Sequence, residues 1–203
     1  MRNKFNELLG ILQKYVDKSV DVRNAISKIT GNADISQSKK EQDITKLKAE
    51  LVAYGEQSIS KAEKIIDSII ADAKEKKFEL SAVGALNSYI TACNGAVDVE
   101  VLSNQIDNIR GNIVALKAVY SVLEANNAPV NVKKVVSDLF YELKDIDSTL
   151  KAEMALVFVG SASATSCGRK ICKEAYLLGI DITSNVKDEF SDEQMLRRVA
   201  GLI

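Results

Sequence analysis

The chain has 203 residues, and its hydrophobic fraction of 46% and charged fraction of 27% are those of an ordinary folded protein. Its 27 Lys and Arg side chains are balanced by 28 Asp and Glu, so there is no cationic surplus and nucleic acid is not an expected partner. The sequence contains no histidine, which excludes a Ser-His-Asp arrangement and removes the commonest general base and metal ligand.

The cysteines and carboxylates do not indicate a reactive centre. Cys93 is isolated in the sequence, and Cys167 and Cys172 lack the C-x-x-C spacing of zinc sites, so we expect free thiols. A di-iron bundle would need Glu-x-x-His motifs, which a chain without histidine cannot supply. We therefore expect no catalytic residues, no metal site and no cofactor, and hence a protein that is not an enzyme.

The N-terminal segment differs from a secretory signal peptide, because charged residues interrupt its apolar stretch. No stretch of the sequence approaches the roughly 20 apolar residues of a membrane span. We therefore expect a protein that has no membrane span and is cytoplasmic when synthesised.

The first two predicted helices carry apolar stripes with heptad-like spacing. Over residues 3–30 apolar side chains recur in steps of three and four, and Gly31 is a suitable residue to end this helix. A second helix is predicted from Ser38, which forms a capping box with Glu41, to about Phe78. At about 1.5 Å per residue it would be roughly 60 Å long. Because it is longer than its neighbours, part of its stripe is expected to lack a cover within one chain.

A third helical region begins at Ser81 and is interrupted near Gly95 and Asp98. The stripe that follows is the most regular in the chain and predicts one continuous helix. This candidate seam consists of Leu102, Ile106, Ile109, Ile113, Leu116, Tyr120 and Leu123. It either packs in the core of the chain or faces another subunit, and the first alternative makes Ile109 and Ile113 core residues.

Pro129 is expected to end that helix, because the residue before a proline disfavours helical conformation. Asn131 is placed to cap the next helix, whose apolar stripe runs from Val132 to Met154. Short turns between long helices place them side by side in antiparallel order. The sequence therefore predicts an all-α fold, with an elongated antiparallel bundle of long amphipathic, partly coiled-coil helices over residues 1–155.

The stretch VFVGSASATSCGRK interrupts this pattern with a loop rich in Gly, Ser and Ala at residues 160–168. One interpretation is a mobile hinge, because small residues stay unordered where nothing packs on them. Others are a cleavage or partner-binding loop and an anion-binding loop. The anion-binding interpretation rests on Gly160, Gly168, Arg169 and Lys170. Their spacing differs from that of a P-loop, which has four residues between its glycines and Ser or Thr after its lysine.

Residues 156–203 are predicted to form a small C-terminal appendage, joined to the bundle by this loop. Its elements are a short helix from Arg169, an extended segment at residues 180–183, and a final helix opened by a capping box at Ser191. The predicted organisation is therefore a bundle followed by a smaller unit.

These features favour a non-enzymatic structural or assembly protein that acts through helical protein–protein interfaces, and a phage virion or scaffold component is one form of this hypothesis. Its expected partners are further copies of itself, another protein, or both. The first alternative is a small helical binding module that inhibits or regulates a protein partner. The second is an anion- or nucleotide-binding protein that uses the loop at residues 157–173.

Overall fold

The computed structural model describes residues 1–75, 80–180 and 182. In this part of the chain 82% of the residues are helical and there is no strand, so the prediction of an all-α fold is confirmed. The helices described are α1 (Arg2–Gly31), α2 (Gln37–Glu75), α3 (Leu80–Ala92), α4 (Val99–Ile106), α5 (Ile113–Ala125), α6 (Val130–Phe158) and α7 (Ala164–Leu177). The predicted final helix from Ser191, the predicted helix end at Phe78, and residues 181 and 183 of the predicted extended segment lie outside the described residues.

Helices α1 and α2 form an antiparallel hairpin that is tied together at both ends. At one end the Lys4 ammonium lies 2.7 Å from the Asp72 carboxylate. At the other end Lys40 donates a hydrogen bond of 3.1 Å to the carbonyl oxygen of Thr30. These two contacts define the antiparallel register, with the start of α1 beside the end of α2 and the end of α1 beside the start of α2.

Two predicted N-caps are displaced by two residues. The hydroxyl of Ser36, rather than that of Ser38, accepts a hydrogen bond of 3.4 Å from a backbone N–H in the first turn of α2. Pro129 directly precedes α6, so Asn131 lies inside the first turn of that helix. A proline fits next to a helix start, because the first backbone N–H groups have no partner within the helix.

Helix α6 packs antiparallel to α2, and α7 folds back along α6 and α1. Lys151 of α6 forms an ion pair of 2.6 Å with Asp67 of α2. Lys173 of α7 forms one of 2.7 Å with Glu142 of α6. Helices α1, α2, α6 and α7 therefore run side by side, while α4 and α5 pack on α6 and α3 packs on α5.

Helices α2 and α6 approach closely at Gly55. A Cβ atom on this residue would lie 2.5 Å from the carbonyl oxygen of Phe158 and 3.5 Å from the ring of Tyr15. The rings of Tyr15 and Phe158 pack edge to face, with their centroids 5.0 Å apart. Because the nearest atom belongs to the backbone of α6, a larger residue at Gly55 requires one of the two helices to move.

Gly55→Ala is therefore expected to destabilise the protein, although alanine favours a helix interior by about 1 kcal/mol over glycine. Displacing one of the two helices typically lowers the free energy of unfolding by about 1–3 kcal/mol, which exceeds the gain from helix propensity. Gly84→Ala is the matched control, because Gly84 also lies inside a helix but has nothing within 4 Å of an added Cβ. Urea denaturation should show Gly55→Ala less stable and Gly84→Ala more stable than the parent. Stabilisation by both substitutions would contradict the close approach of α2 and α6.

The stripe predicted as one continuous helix is divided between α4 and α5 by a turn at residues 107–112. Gly111 has a positive φ of 82° in this turn. The side chain of Asn112 accepts a hydrogen bond of 2.9 Å from the N–H of Ala115 and caps α5. The prediction of a continuous helix is therefore wrong. It failed because Ile109 is buried in the turn and keeps the spacing of the apolar residues regular across the break.

The prediction that Ile113 is a core residue is also wrong. Ile113 is the first residue of α5 and is 40% exposed, whereas Leu116, three residues later, is fully buried. Tyr120 is half-buried and packs against the core. The remaining seam residues, each at most 2% exposed, are Leu102, Ile106, Ile109 and Leu123. The single chain therefore already covers most of this seam.

The buried apolar residues of the described helices belong to one hydrophobic cluster, with the exception of Val22 of α1. The stripe predicted on α6 contributes to it and continues beyond Met154 to Phe158. Helix α7 contributes Cys167 and Ile171 to the same cluster. The predicted boundary between residues 155 and 156 falls inside α6, and the division of the chain into two folding units stays a prediction.

Candidate interaction surface

The loop predicted at residues 160–168 is a loop only in its first part. The turn between α6 and α7 comprises residues 159–163, and the residues from Ala164 onward are helical. Ser163 caps α7, since its hydroxyl accepts a hydrogen bond of 3.4 Å from the N–H of Ser166. The prediction of a loop over residues 164–168 is therefore wrong, and the hinge interpretation now concerns residues 159–163 alone.

The four residues of the anion-binding interpretation are not assembled around a common point. Gly160 lies in the turn with a φ of 75°, whereas Gly168 is buried in the second turn of α7, where backbone N–H groups bond within the helix. The Arg169 side chain is exposed, and Lys170 Nζ lies 3.3 Å from Glu174 Oε1. This arrangement does not present a ring of free N–H groups to an anion.

Glu174 is a buried carboxylate on α7, with 3% of its surface exposed. Lys170 lies against its Oε1 atom, while no described residue donates a hydrogen bond to its Oε2 atom. Burial raises the pKa of the Glu174 carboxyl, and the hydrogen bond from Lys170 opposes this in part. Ionisation of Glu174 is therefore unfavourable in the folded chain.

Glu174→Gln is expected to stabilise the protein near neutral pH and to have little effect at about pH 3, where the carboxyl is protonated in both the folded and the unfolded state. The direction of this pH dependence follows from the linkage between proton binding and folding stability. A carboxyl whose pKa is higher in the folded chain contributes stability that is present below its unfolded pKa and is lost as the pH rises through its folded pKa. Thermal unfolding of both proteins across this pH range is the measurement. A larger benefit of the substitution at low pH than at neutral pH would refute this account of Glu174.

The end of the α1–α2 hairpin extends beyond the other described helices. The last buried residue of α1 is Val22 and the first buried residue of α2 is Gly55, so no residue between them is buried. Gly55 lies opposite Phe158, the last residue of α6, which is why α6 does not cover the hairpin beyond this point. We call residues 23–54 the arm.

The arm carries an apolar stripe that the other described residues leave only half-buried. Its members are Ile26, Ile29, Ile44 and Leu47, and none of them belongs to the hydrophobic cluster of the described residues. A half-buried apolar stripe beside an exposed apolar residue, Val52, on a helical hairpin is a feature of surfaces that bind another protein.

The tip of the arm is held by its own contacts. Lys39 forms an ion pair of 2.8 Å with Asp43, and the side chain of Asn32 accepts a hydrogen bond of 2.9 Å from the N–H of Asp34. Together with the bond from Lys40 to the last turn of α1, these contacts order the connection between the two helices. The arm therefore presents its stripe on a defined framework rather than on an unstructured extension.

A cleft with a volume of about 510 Å³ lies at the base of the arm. Its walls come from α1, α2 and the α6–α7 turn, and its apolar lining includes Val22, Ile26 and Leu51. The exposed side chains of Arg23 and Lys48 lie at the same cleft. The part of the predicted loop that is not helical thus forms one wall of a depression that continues into the apolar stripe.

Sequence reasoning identified the loop but missed Arg23 and Lys48 as its neighbours. Each is an ordinary charged residue on the polar side of an amphipathic helix. The length of α6 decides which part of the hairpin faces the α6–α7 turn. No local signal in the sequence marks these two residues, because their proximity depends on the packing of three helices.

The cysteines are free thiols. Cys167 is buried, its sulfur lies 3.5 Å from that of Met154, and burial raises the pKa of the thiol to about 12. A reactive cysteine needs a lowered pKa, so Cys167 has the properties of a core residue. Across residues 1–75, 80–180 and 182, no group of three or more Cys, Asp or Glu side chains is placed to hold a metal ion.

None of the helices in the described part of the chain is both long and apolar enough to cross a membrane. Comparisons with protein-family models, with curated proteins and with solved structures find no match to this chain.

Proposed function

We propose that this protein is a non-enzymatic structural or assembly protein that associates with further copies of itself through the arm. The observation that carries this proposal is the half-buried apolar stripe on a hairpin that has no fully buried residue over residues 23–54. Burying apolar surface is worth about 25 cal/mol per Å². A second amphipathic hairpin can bury such a stripe, because helices with heptad-like stripes pack side chains between one another.

The charges of the arm are compatible with self-association. Residues 23–54 contain six Lys and Arg (residues 23, 28, 39, 40, 46 and 48) and four Asp and Glu (residues 34, 41, 43 and 50), a difference of +2. Because both signs are present along the arm, two copies can align without like-charge repulsion over the entire contact. A phage virion or scaffold component, synthesised in the cytoplasm, is a form of this proposal that rests on the long-helix architecture alone.

A small helical binding module that inhibits or regulates another protein is the second candidate. The cleft at the base of the arm favours it, because an open depression of about 510 Å³ with apolar lining can accept an apolar side chain of a partner. An assembly protein associates with itself, whereas an inhibitor has no need to do so. The mass of the protein in solution therefore separates the two candidates.

The test is light scattering over a range of concentrations, with the parent and the variant Ile29→Glu/Leu47→Glu. The parent is expected to form a dimer or larger species at micromolar concentration, and the variant is expected to be monomeric. Both side chains are only half-buried and lie outside the hydrophobic cluster, so the variant should keep its helical circular dichroism. Val114→Glu is the control, because Val114 is 65% exposed on α5, outside the arm. A parent that stays monomeric at high concentration would contradict self-association and favour the binding module.

A further inference from the structure

A second depression, with a volume of about 520 Å³, lies on the α1–α2 hairpin next to the arm, of which only the last residue, Tyr54, lines it. Its apolar lining is provided by the half-buried side chains of Ile11, Tyr54 and Ile65. Residues 54–65 of α2 border it, which corresponds to about 16 Å or three helical turns. We call this depression the lysine groove, for the residues at its rim.

The rim of the lysine groove is strongly cationic. Lys14 of α1 and Lys61 and Lys64 of α2 are exposed at the groove, against one acidic residue, Glu7. None of these lysines forms a hydrogen bond or ion pair with a described residue, whereas Lys4 on the same hairpin pairs with Asp72. Within the described part of the chain, three lysines therefore line this apolar floor without a direct ionic partner.

Gly10 opens the groove on the side of α1. A glycine inside a helix costs about 1 kcal/mol relative to alanine. Nothing within 4 Å would contact a Cβ atom at this position, so no contact in the described part of the chain requires a glycine here. The missing side chain leaves space for another backbone to approach α1 next to Ile11.

We propose that the lysine groove binds an amphipathic helix of a partner protein, with acidic side chains on both sides of its apolar stripe. The apolar side chains of that helix pack on Ile11 and Ile65, and its backbone lies against Gly10. Its carboxylates approach Lys14 on one side and Lys61 and Lys64 on the other. Charge complementarity of this kind selects the partner and orients it in the groove. Apart from Tyr54, this surface lies outside the arm, so the proposal does not depend on the self-association proposed above.

The probe is a set of three fluorescein-labelled helical peptides of about 18 residues, each long enough to span the groove. One has a leucine stripe flanked by glutamates, one has the same stripe flanked by lysines, and one has glutamates with serines in place of the leucines. Fluorescence anisotropy with the full chain is expected to show binding of the first peptide only, and weaker binding as salt is raised. Equal binding of the first two peptides would overturn the charge argument. Equal binding of the two acidic peptides would show a surface for any polyanion and would also overturn the proposal.

Variants of the protein locate the binding. Lys14→Gln/Lys61→Gln/Lys64→Gln is expected to weaken binding of the acidic leucine peptide by about tenfold, since exposed charge pairs contribute modestly and add over three sites. The matched control is Lys117→Gln/Lys134→Gln/Lys144→Gln, which removes the same charge from exposed lysines of α5 and α6 and should change binding less than about twofold. Similar losses in both triple variants would refute the lysine groove as the binding surface.

Gly10→Leu tests the shape of the groove without removing a charge. Because the position is open and leucine favours a helix, the variant should remain folded and yet lose binding of the acidic leucine peptide. Unchanged binding would overturn the proposed approach to α1. If the lysine variant instead became monomeric in light scattering while the arm variant did not, the occupant of the groove would be a second copy of the chain. That result would overturn the proposal of a separate partner.

Discussion

Leu116→Ala is expected to lower the free energy of unfolding by about 2–5 kcal/mol, the range for large-to-small substitutions at well-packed sites. Leu116 has no exposed surface and lies in the first turn of α5, on the face that packs against the core. The substitution removes buried apolar surface and leaves a cavity that the surrounding helices fill only in part. Urea denaturation monitored by circular dichroism measures the change.

Ile113→Ala is the matched substitution on the same helix. Because Ile113 is 40% exposed and is the first residue of α5, its loss is expected to cost less than about 1 kcal/mol. A continuous helix across residues 102–123 would instead make both residues members of one buried seam. Equal losses of about 2 kcal/mol or more at Ile113 and Leu116 would therefore contradict the turn at residues 107–112.

Gly111→Ala is the second substitution with a large expected effect, a destabilisation of at least about 2 kcal/mol. The positive φ of 82° alone costs a residue with a Cβ about 1–2 kcal/mol. The added Cβ would also lie 2.6 Å from the carbonyl oxygen and 2.7 Å from the carbonyl carbon of Leu178, so the α4–α5 turn and the end of α7 would have to separate. Overpacking of this kind adds about 1–3 kcal/mol.

Gly160→Ala separates the two contributions. Gly160 has a similar φ of 75°, but nothing lies within 4 Å of an added Cβ. This substitution is expected to show the backbone cost alone, about 1–2 kcal/mol. Thermal unfolding of both variants is the measurement. If the two glycines proved equally sensitive, the close contact between the α4–α5 turn and Leu178 would be refuted.

The apolar periodicity of the sequence was sufficient to predict most of the helices. The stripe of α6 from Val132 to Met154 is buried as expected, with Leu139 half-buried. Steps of three and four fail as a guide where a turn happens to preserve them, as between Ile106 and Leu116. The signal that would have found this break is local, because Gly111 suits a left-handed turn and Asn112 is a favourable N-cap.

The stretch rich in small residues was misread for a different physical reason. Ala, Ser and Gly leave a segment unordered when nothing packs on it, but they also allow a helix to approach its neighbours closely. In α7 the second situation applies, since Ala164, Cys167 and Gly168 are buried. Composition alone cannot decide between the two, because the decision depends on whether α6 and α1 are present on the other side.

The candidate surface could be predicted only in part. The sequence predicted, from the length of the second helix, that part of its stripe lacks a cover, and the arm is the part of the α1–α2 hairpin without buried residues. It could not show where α6 stops covering the hairpin, because α6 ends at Phe158, opposite Gly55 of α2. The lysines of the second groove are likewise ordinary surface residues until the packing of α1 on α2 brings Lys14 near Lys61 and Lys64.

We propose the arm as the surface through which copies of this protein associate. Hydrogen–deuterium exchange with mass spectrometry, compared between dilute and concentrated protein, tests it at the level of segments. Peptides from residues 23–54 are expected to exchange more slowly in the concentrated sample. The other described helices do not cover this part of the hairpin, so a second copy would suppress the opening of its backbone hydrogen bonds. Peptides from α5 should exchange equally in both samples. Slower exchange confined to segments outside residues 23–54, or no difference between the two samples, would contradict the claim.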